Sequence, residues 1–277
     1  MDNPDRINRK LKIYKADDQK ALGLHLHNEY EFIFIQDGSA HISIHGGAQS
    51  YGKNTFLAID NLQNHTMTPE GATYVRYVML INPSYFDQFV IEPSLRAIFS
   101  TKPDEFINAF PLSAEDAAYI QTQFDAAIAE YQAEEPFSEA CVMAILLRVL
   151  VYLFRRHRER FPDVSRESAK ILPVKSYIDQ NFSDDLTLDN IAAHFFINKY
   201  HLAHLFKKVT GYSLKQYITL KRISFARELL CLSDKSITQI ASECGFNSTS
   251  NFIRSFKSTE GATPLGFRKM FQTGATK

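Results

Sequence analysis

An internal repeat near the C-terminus limits the architecture of this chain more than any other feature. Ile191-Ala192 recurs as Ile240-Ala241, 49 residues later, and Phe206-Lys207 recurs as Phe256-Lys257, 50 residues later. The further pairs at an offset of 50 are Leu202 with Phe252, Gly211 with Gly261, and Tyr217 with Phe267. A fixed period of this length indicates one supersecondary unit that occurs twice.

Each copy has the layout of a helix-turn-helix unit, at about residues 186–210 and 236–260. Thr187 and Asn198 can cap the two helices of the first copy. Their side-chain oxygens can accept hydrogen bonds from the backbone N–H groups in the first turn, which have no partner within the helix. In the second copy Ser236 with Gln239 predicts a capping box, and Ser248 the next cap. Gly245 is expected to make the turn there.

A single long helix, from about Ser213 to Leu232, is predicted to join the two units. Its apolar residues recur at helical spacing. A helix of this length spans about 30 Å, which approaches the roughly 34–36 Å between successive major-groove faces on one side of B-DNA. Such a connector would present two helices to adjacent grooves from one chain.

The C-terminal region resembles the DNA-binding domain of the AraC/XylS family of bacterial transcription regulators. In the first half the resemblance is carried by Leu186, Thr187, Leu188, Ile191, Ala192, Tyr200, His201, Leu202, Phe206, Lys207, Lys208, Thr210, Gly211, Tyr217, Ile218 and Arg222. In the second half it is carried by Ile237, Ile240, Ala241, Gly245, Phe246, Phe252, Ile253, Arg254, Ser255, Phe256, Lys257, Gly261, Thr263, Pro264, Phe267 and Arg268.

The resemblance implies which side chains contact DNA. Arg254 can donate two hydrogen bonds to guanine O6 and N7, whereas Ala203 offers at most a contact with a thymine methyl group. The positions that match the family's base-reading sites are Tyr200, Ala203, His204, Thr249, Ser250 and Arg254. The residues expected either to bind phosphate or to stay solvated are Lys207, Lys208, Lys215 and Lys257.

Charge is distributed unevenly along the chain, although the formal net charge is zero. From Lys170 to the end there are 15 Lys and Arg against 8 Asp and Glu, whereas the preceding residues carry 16 against 23. The asymmetry favours a polyanionic partner for the C-terminal part alone. An accidental imbalance of solvated surfaces is the alternative interpretation.

The N-terminal region has a sequence pattern that is typical of a small β-barrel. Short apolar runs alternate with turn signals, among them Asp37-Gly38, and many short strands at regular spacing are typical of a sandwich or barrel. The predicted strands are 32–35, 41–44, 55–59 and 74–80.

Two helices are predicted after the barrel. The first begins at Ser113 and presents one apolar stripe, formed by Ala117, Ile120, Phe124, Ala127, Ile128 and Tyr131. The second runs from about Phe137 to His157 and is apolar on all sides over Cys141–Leu147. Such a helix must be covered, either by the barrel or by a second copy of the chain, so we expect a homodimer.

His25, His27, Glu31 and Gly38 fit the first motif of the cupin barrel, and His65 falls where the histidine of the second motif belongs. Three imidazoles and a carboxylate would suit iron, manganese, nickel or zinc. The usual glycine, proline and glycine of the second motif are replaced by Asn54, Asp60 and Leu62. We therefore expect no bound metal and no cofactor. A structural hydrogen-bonded cluster is a further alternative.

The resemblance implies a small-molecule effector in the barrel, frequently a sugar, for which polar groups among apolar walls are suited. The expected ligand contacts are His25, His27, Glu31, His65 and Arg76. Tyr30 and Tyr74 are either sugar-stacking residues or core.

The expected fold is α+β: a cupin-like β-barrel with flanking helices, followed by an all-α domain of two helix-turn-helix units joined by a long helix. The domain boundaries are a sensing and dimerisation domain at 1–160, a linker at 161–170 and a DNA-binding domain at 171–277. The three cysteines predict reduced, half-buried thiols of a cytoplasmic protein. No apolar run is long enough to cross a bilayer and no signal peptide is recognised.

The expected function is a sequence-specific transcription regulator, not an enzyme, that binds double-stranded promoter or operator DNA. The expected mode is activation, although the residues do not separate an activator from a repressor. RNA polymerase is included among the candidate partners, and no membrane partner is expected. The alternatives are a cupin metalloenzyme with a DNA-binding appendage and a purely architectural DNA-binding protein.

Overall fold

The computed structural model describes residues 10–18, 22–25, 28–44, 47–63, 65–99, 108–161, 164 and 166–274. The chain divides into two units, with the boundary between Ala169 and Lys170. The segment expected as a linker, 161–170, is helical from Arg166 onward. No helix in the described part of the chain combines the length and the apolar character needed to span a membrane.

The N-terminal unit is built on an antiparallel sheet whose described strands number seven. Their order is β1-β6-β3-β5-β7, with β2 also paired to β6 and β4 also paired to β3. The strands are β1 Leu11–Ala16, β2 Leu22–His25, β3 Tyr30–Ile44, β4 Gly47–Gly52, β5 Thr55–Ile59, β6 His65–Ile81 and β7 Asn108–Pro111.

Strand β3 replaces two of the predicted strands, because Asp37-Gly38 forms a bulge and not a turn. Strand β6 pairs with both halves of β3, and the register shifts between Ile35 and Ser39. Gly38 has a φ of 78°, and a Cβ there would lie 1.8 Å from the carbonyl oxygen of Thr73. The glycine is needed for a close approach of two backbones, which bends the strand without reversing it.

Helices cover one face of the sheet. They are α1 Pro83–Phe89, α2 Pro93–Arg96, α3 Ala114–Ala133 and α4 Ser138–Arg156, with short 3-10 turns at Ala97–Phe99 and Arg158–Arg160. The predicted stripe of α3 is confirmed, since Ile120 and Phe124 are buried and the Phe124 ring lies 5.6 Å from that of Tyr77 in the sheet. Ser113 caps α3, because its side chain accepts from the Asp116 backbone N–H.

Helix α4 is only partly covered. Met143, Leu146 and Leu150 are buried against the sheet and α3, whereas Cys141 is exposed and Leu147 is half-buried.

All three cysteines are free. The expectation of half-buried thiols holds for Cys231, but Cys141 is exposed and Cys244 is buried.

The C-terminal unit is entirely helical in its described part. Its helices are α5 Arg166–Asn181, α6 Leu188–His194, α7 Lys199–Thr210, α8 Leu214–Leu232, α9 Ile237–Glu243, α10 Thr249–Glu260 and α11 Pro264–Gly274. The predicted long connector is α8, and the predicted pairs of short helices are α6 with α7 and α9 with α10.

Candidate nucleic-acid interface and effector site

The first helix-turn-helix unit is formed by α6 and α7. Thr187 caps α6 by accepting from the Asn190 N–H at 3.1 Å. Asn198 caps α7 by accepting from the N–H groups of Tyr200 and His201 at 3.0 and 3.3 Å. Both caps were predicted, and they satisfy the open N–H groups that begin each helix.

The outer face of α7 carries the predicted DNA-contacting side chains of this unit. Tyr200, His204 and Lys207 are exposed, while Ala203 is half-buried. Tyr200 is 75% exposed, and the ammonium of Lys199 lies 5.6 Å from its ring centroid. Lys199 is itself held by Asp189 of α6, with 2.8 Å between Nζ and Oδ1. The ring therefore projects into solvent at the start of the helix.

The second unit is formed by α9 and α10. Ser236 and Gln239 form the predicted capping box, with N···O distances of 3.2 and 2.8 Å. Gly245 has a φ of 78°, and a Cβ there would lie 2.3 Å from the carbonyl oxygen of Ser183. Glycine is required at this turn both by its left-handed backbone and by that close approach.

The outer face of α10 is polar and open. Ser250, Arg254 and Lys257 are exposed, and Thr249 is half-buried. Asn251, which was not among the predicted DNA contacts, is exposed, and its Oδ1 accepts a hydrogen bond from Arg254 Nη2 at 3.1 Å. The signal that identifies it is its spacing, three residues before Arg254 on the same helix.

Helix α8 completes the apolar core of both units. Its first half buries Leu214, Tyr217 and Ile218, and its second half packs Ile223 and Leu230 around the helices of the second unit. The helical spacing of apolar residues that predicted the connector is therefore confirmed as its buried face. The connector therefore belongs structurally to both units at once.

A repeated arginine contact joins each helix-turn-helix unit to the helix before it. Arg222 of α8 donates to the carbonyl oxygens of Phe182 and Asp184, each at 2.7 Å, beyond the end of α5. Arg268 of α11 donates to the carbonyl oxygens of Leu230 and Lys235, at 3.3 and 2.7 Å, near the end of α8. Leu230 lies in the last turn of α8, and the other three acceptors lie in the segments that follow α5 and α8. These two motif arginines therefore bind the chain at or just beyond a helix end.

In the N-terminal unit the structure brings Glu31 of β3 and His65 of β6 together. Their Oε2 and Nε2 atoms are 3.1 Å apart, and both side chains are almost fully buried. His65 Nδ1 lies 2.9 Å from the Gln63 carbonyl oxygen. Because that oxygen only accepts, the hydrogen bond is donated by Nδ1 of the imidazole.

Arg76 lies near this pair on the same face of the sheet. It is buried, and its Nη2 donates to Asp18 Oδ1 at 2.9 Å while its guanidinium carbon lies 4.7 Å from the Tyr74 ring centroid. Burial and then the negative charge of Glu31 raise the pKa of Tyr14, whereas the positive charge of Arg76 lowers it. Asp18, Glu31 and Arg76 thus form one electrostatically connected group.

The other predicted ligand contacts are distributed differently. Tyr30 stacks on Phe99 at 3.9 Å within the helix-facing core, so it is a core residue. Tyr74 is buried in the cluster of apolar strand residues on the Arg76 side. His27 and the His25 side chain lie outside the described residues.

Two further observations concern metals and cavities. Among the described residues no group of three or more His, Cys, Asp or Glu side chains could hold a metal ion, but the predicted set of four is described only for Glu31 and His65. A separate groove of about 360 Å³ runs along α3 beside the β3 bulge, and Asp37, Lys53 and Gln121 are among its lining residues. None of the expected effector contacts lines that groove.

An antiparallel sheet domain with a buried polar group, followed by two helix-turn-helix units on a shared connector, defines the class of ligand-domain transcription regulators. Residues 12–150 match the AraC-like ligand binding domain, and residues 191–270 match a helix-turn-helix domain. The chain belongs to the AraC family, as its C-terminal motifs predicted.

Its curated relatives are similar over about a third of the chain. The regulatory protein PocR of Salmonella typhimurium is 40% identical over 101 residues, which are 36% of this chain and 33% of PocR. The melibiose operon regulatory protein of Escherichia coli is 38% identical over 96 residues, 35% of this chain and 32% of that protein. The chain thus spans about a third of the length of these relatives.

The fold is also similar to a solved structure over nearly the whole length of the chain. ToxT of Vibrio cholerae aligns with a TM-score of 0.58 at 16% identity, covering 95% of this chain and 98% of ToxT. The predicted fold class, a β-domain followed by tandem helix-turn-helix units, is therefore confirmed.

Proposed function

We propose that the chain is a transcription regulator that binds specific DNA sequences and responds to a small molecule. The observation that carries the proposal is the pair of exposed polar faces on α7 and α10, held by the shared helix α8. A helix that presents polar side chains outward after a tight turn is the element that such units insert into the major groove.

The two recognition helices have different roles in this proposal. Arg254 donates to guanine, and Thr249 and Ser250 contact neighbouring bases or phosphates. On α7, Tyr200 and His204 contact bases, and Ala203 contributes at most a methyl contact. Lys207 and Lys257 neutralise phosphates. The second unit, which carries the arginine, is therefore the stronger source of sequence preference.

The test is to select a preferred duplex from a randomised pool with the full chain and then to compare two variants. Arg254→Ala should weaken the preferred duplex by about 1–3 kcal/mol and relax preference at one base pair. Lys257→Ala should weaken all duplexes alike and reduce the slope of log affinity against log salt by about 1. Binding that selects no sequence and ignores salt would contradict the proposal.

We propose that a hydroxyl-rich effector, of which a sugar is the leading case, contacts Glu31, His65 and Arg76, with His25 and His27 as further contacts. Buried carboxylate, imidazole and guanidinium groups beside apolar strand residues support this chemistry. One of the similar proteins is named for the melibiose operon.

A thermal-shift screen against sugars tests the effector, because a ligand that binds only the native state raises its stability. Glu31→Gln should abolish the shift while leaving DNA affinity without effector unchanged. One equivalent of metal in protein purified without chelator, lost in His65→Ala, would replace this proposal by the cupin metalloenzyme.

We further propose a homodimer through α3 and α4, with the apolar segment Cys141–Phe154 of α4 partly at the interface. We propose that it activates transcription in the cytoplasm by contact with RNA polymerase, without catalysis. The exposed Cys141 and half-buried Leu147 on the outer side of α4 support the dimer. Sedimentation should show a dimer at tens of micromolar, and alkylation of Cys141 should slow as protein concentration rises. A monomer with concentration-independent alkylation would refute it.

A further inference from the structure

We infer that Asn251 is a positioning residue for Arg254 and so determines how strongly the second recognition helix selects a base pair. The two side chains are exposed on α10, three residues apart, and Arg254 Nη2 donates to Asn251 Oδ1 at 3.1 Å. The inference rests on the proposed DNA-binding function and adds a residue to it.

Asn251 is itself fixed at the start of the helix. Its backbone N–H donates to Ser248 Oγ, the cap of α10, at 3.2 Å. Ser248, Asn251 and Arg254 are spaced by three, so successive side chains lie one above the other on the same side. The bond draws the guanidinium back toward the N-terminal turn, which is the part of a recognition helix that enters the groove.

The hydrogen-bonding capacity of arginine allows both contacts at once. A guanidinium has five N–H donors in a planar fork. One is used by Asn251, and the remainder suffice for two parallel bonds to guanine O6 and N7. An exposed arginine without such a contact samples many rotamers and loses that freedom on binding. Restricting it beforehand increases the advantage of the correct base.

The experiment uses the full chain and the duplex that it selects from a randomised pool. The base pair read by Arg254 is the position at which Arg254→Ala loses its preference. Asn251→Ala should reduce discrimination at that position by about 3- to 10-fold, the effect of one ordinary hydrogen bond. Affinity for unrelated duplexes and its salt dependence should stay unchanged. Ser258→Ala, an exposed position of the same helix, is the matched control and should change neither.

Two further variants separate positioning from other roles. Asn251→Asp keeps the accepting oxygen, so it should retain discrimination while its charge lowers affinity for every duplex. In an Arg254→Ala background, Asn251→Ala should have no additional effect on discrimination. Unchanged discrimination in Asn251→Ala, or an equal loss with and without Arg254, overturns the inference. Failure of the wild-type chain to select any duplex would instead contradict the proposed function.

Discussion

At the scale of single residues, Phe196 combines two unfavourable features in the turn between α6 and α7. Its φ is 54°, in the left-handed region, and its side chain is 98% exposed. The left-handed conformation costs an L-residue roughly 1–2 kcal/mol, because Cβ approaches the following carbonyl oxygen. With the ring in solvent, side-chain burial does not offset this cost. The corresponding residue of the second unit, 49 positions on, is Gly245.

Phe196→Gly is therefore expected to raise the free energy of unfolding of the C-terminal unit by about 0.5–1 kcal/mol, since glycine relieves the strain but loses more backbone entropy on folding. Urea denaturation followed by circular dichroism measures the change.

Gly245→Ala is the matched control at the equivalent turn. It should lower the free energy of unfolding by more than about 2 kcal/mol, because the new Cβ is both strained and too close to Ser183. A destabilised Phe196→Gly protein would show that the Phe196 side chain has a stabilising contact after all.

At the scale of elements, a buried ion pair ties α5 to α8. Lys221 Nζ lies 3.0 Å from Asp179 Oδ1, and both side chains are 1% exposed. The Tyr217 hydroxyl donates to the same carboxylate oxygen at 2.9 Å. Removing one partner of such a pair leaves a buried charge without its counterion, whereas removing both removes the charges together.

We expect Lys221→Met to lower the free energy of unfolding by about 3–5 kcal/mol. The double variant Lys221→Met with Asp179→Leu should be more stable than Lys221→Met alone, which a double-mutant cycle in urea measures. Additive losses would indicate that the two charges do not stabilise one another.

A second contact between elements joins α3 to α4 through the carboxylate of Asp116, which accepts from Tyr152 and pairs with Arg156. Asp116 is buried, which raises its pKa, but hydrogen bonds from Tyr152 and Ser113 and the charges of Arg156 and His157 outweigh burial and hold the pKa below its ordinary value. A depressed carboxyl pKa stabilises the fold above the unfolded pKa of about 4, and this contribution disappears as pH falls through the folded value.

Asp116→Asn should therefore reduce stability at neutral pH and flatten the loss of stability on acidification below about pH 4. Thermal unfolding of both proteins across that range gives the comparison. Parallel pH curves for the two proteins would exclude Asp116 as a source of the acid dependence.

The elements also show what sequence can and cannot predict. Caps at Thr187 and Ser236 depend on residues within one turn of each other, so local patterns found them. Lys221 lies in a basic helix, and its burial depends on Asp179, 42 residues earlier, which no periodicity indicates. Gly38 was taken as a turn because the sequence does not reveal that Thr73 approaches it.

At the scale of the whole molecule, the charge asymmetry between the two units predicts a difference in DNA affinity between a C-terminal fragment and the full chain. A fragment from Arg166 to the end keeps the positive excess of the C-terminal unit, because Arg166 and Glu167 cancel. At low salt it should bind an unrelated duplex more tightly than the full chain, which carries acidic residues that repel DNA.

The difference should shrink as salt rises, because the Debye length falls from about 10 Å at 0.1 M to about 3 Å at 1 M. Fluorescence anisotropy over a salt series provides the measurement. A fragment that binds more weakly than the full chain at every salt concentration would be the contrary result.

The fold class was predictable because the sequence itself shows a long-period repeat and a change from strand periodicity to helix periodicity. The candidate effector site was predictable only in part. Glu31 and His65 do lie together. Tyr14 joins the group around Arg76 through the pairing of β1 with β6, and Asp18 joins it through its ion pair with Arg76, and residue spacing shows neither. Effector identity depends on the shape of the site, which a pattern of residue types does not specify.

The shared helix α8 has a consequence for the sites that such a protein can occupy. Its 19 residues span about 28 Å at 1.5 Å per residue, and both ends are packed into cores, so the spacing of the two recognition helices is fixed. Inserting half a turn of DNA between two half-sites rotates one of them to the far side of the duplex. Natural operators should therefore tolerate base changes between their half-sites but not small insertions or deletions. During evolution the two half-sites must stay on the same side of the duplex.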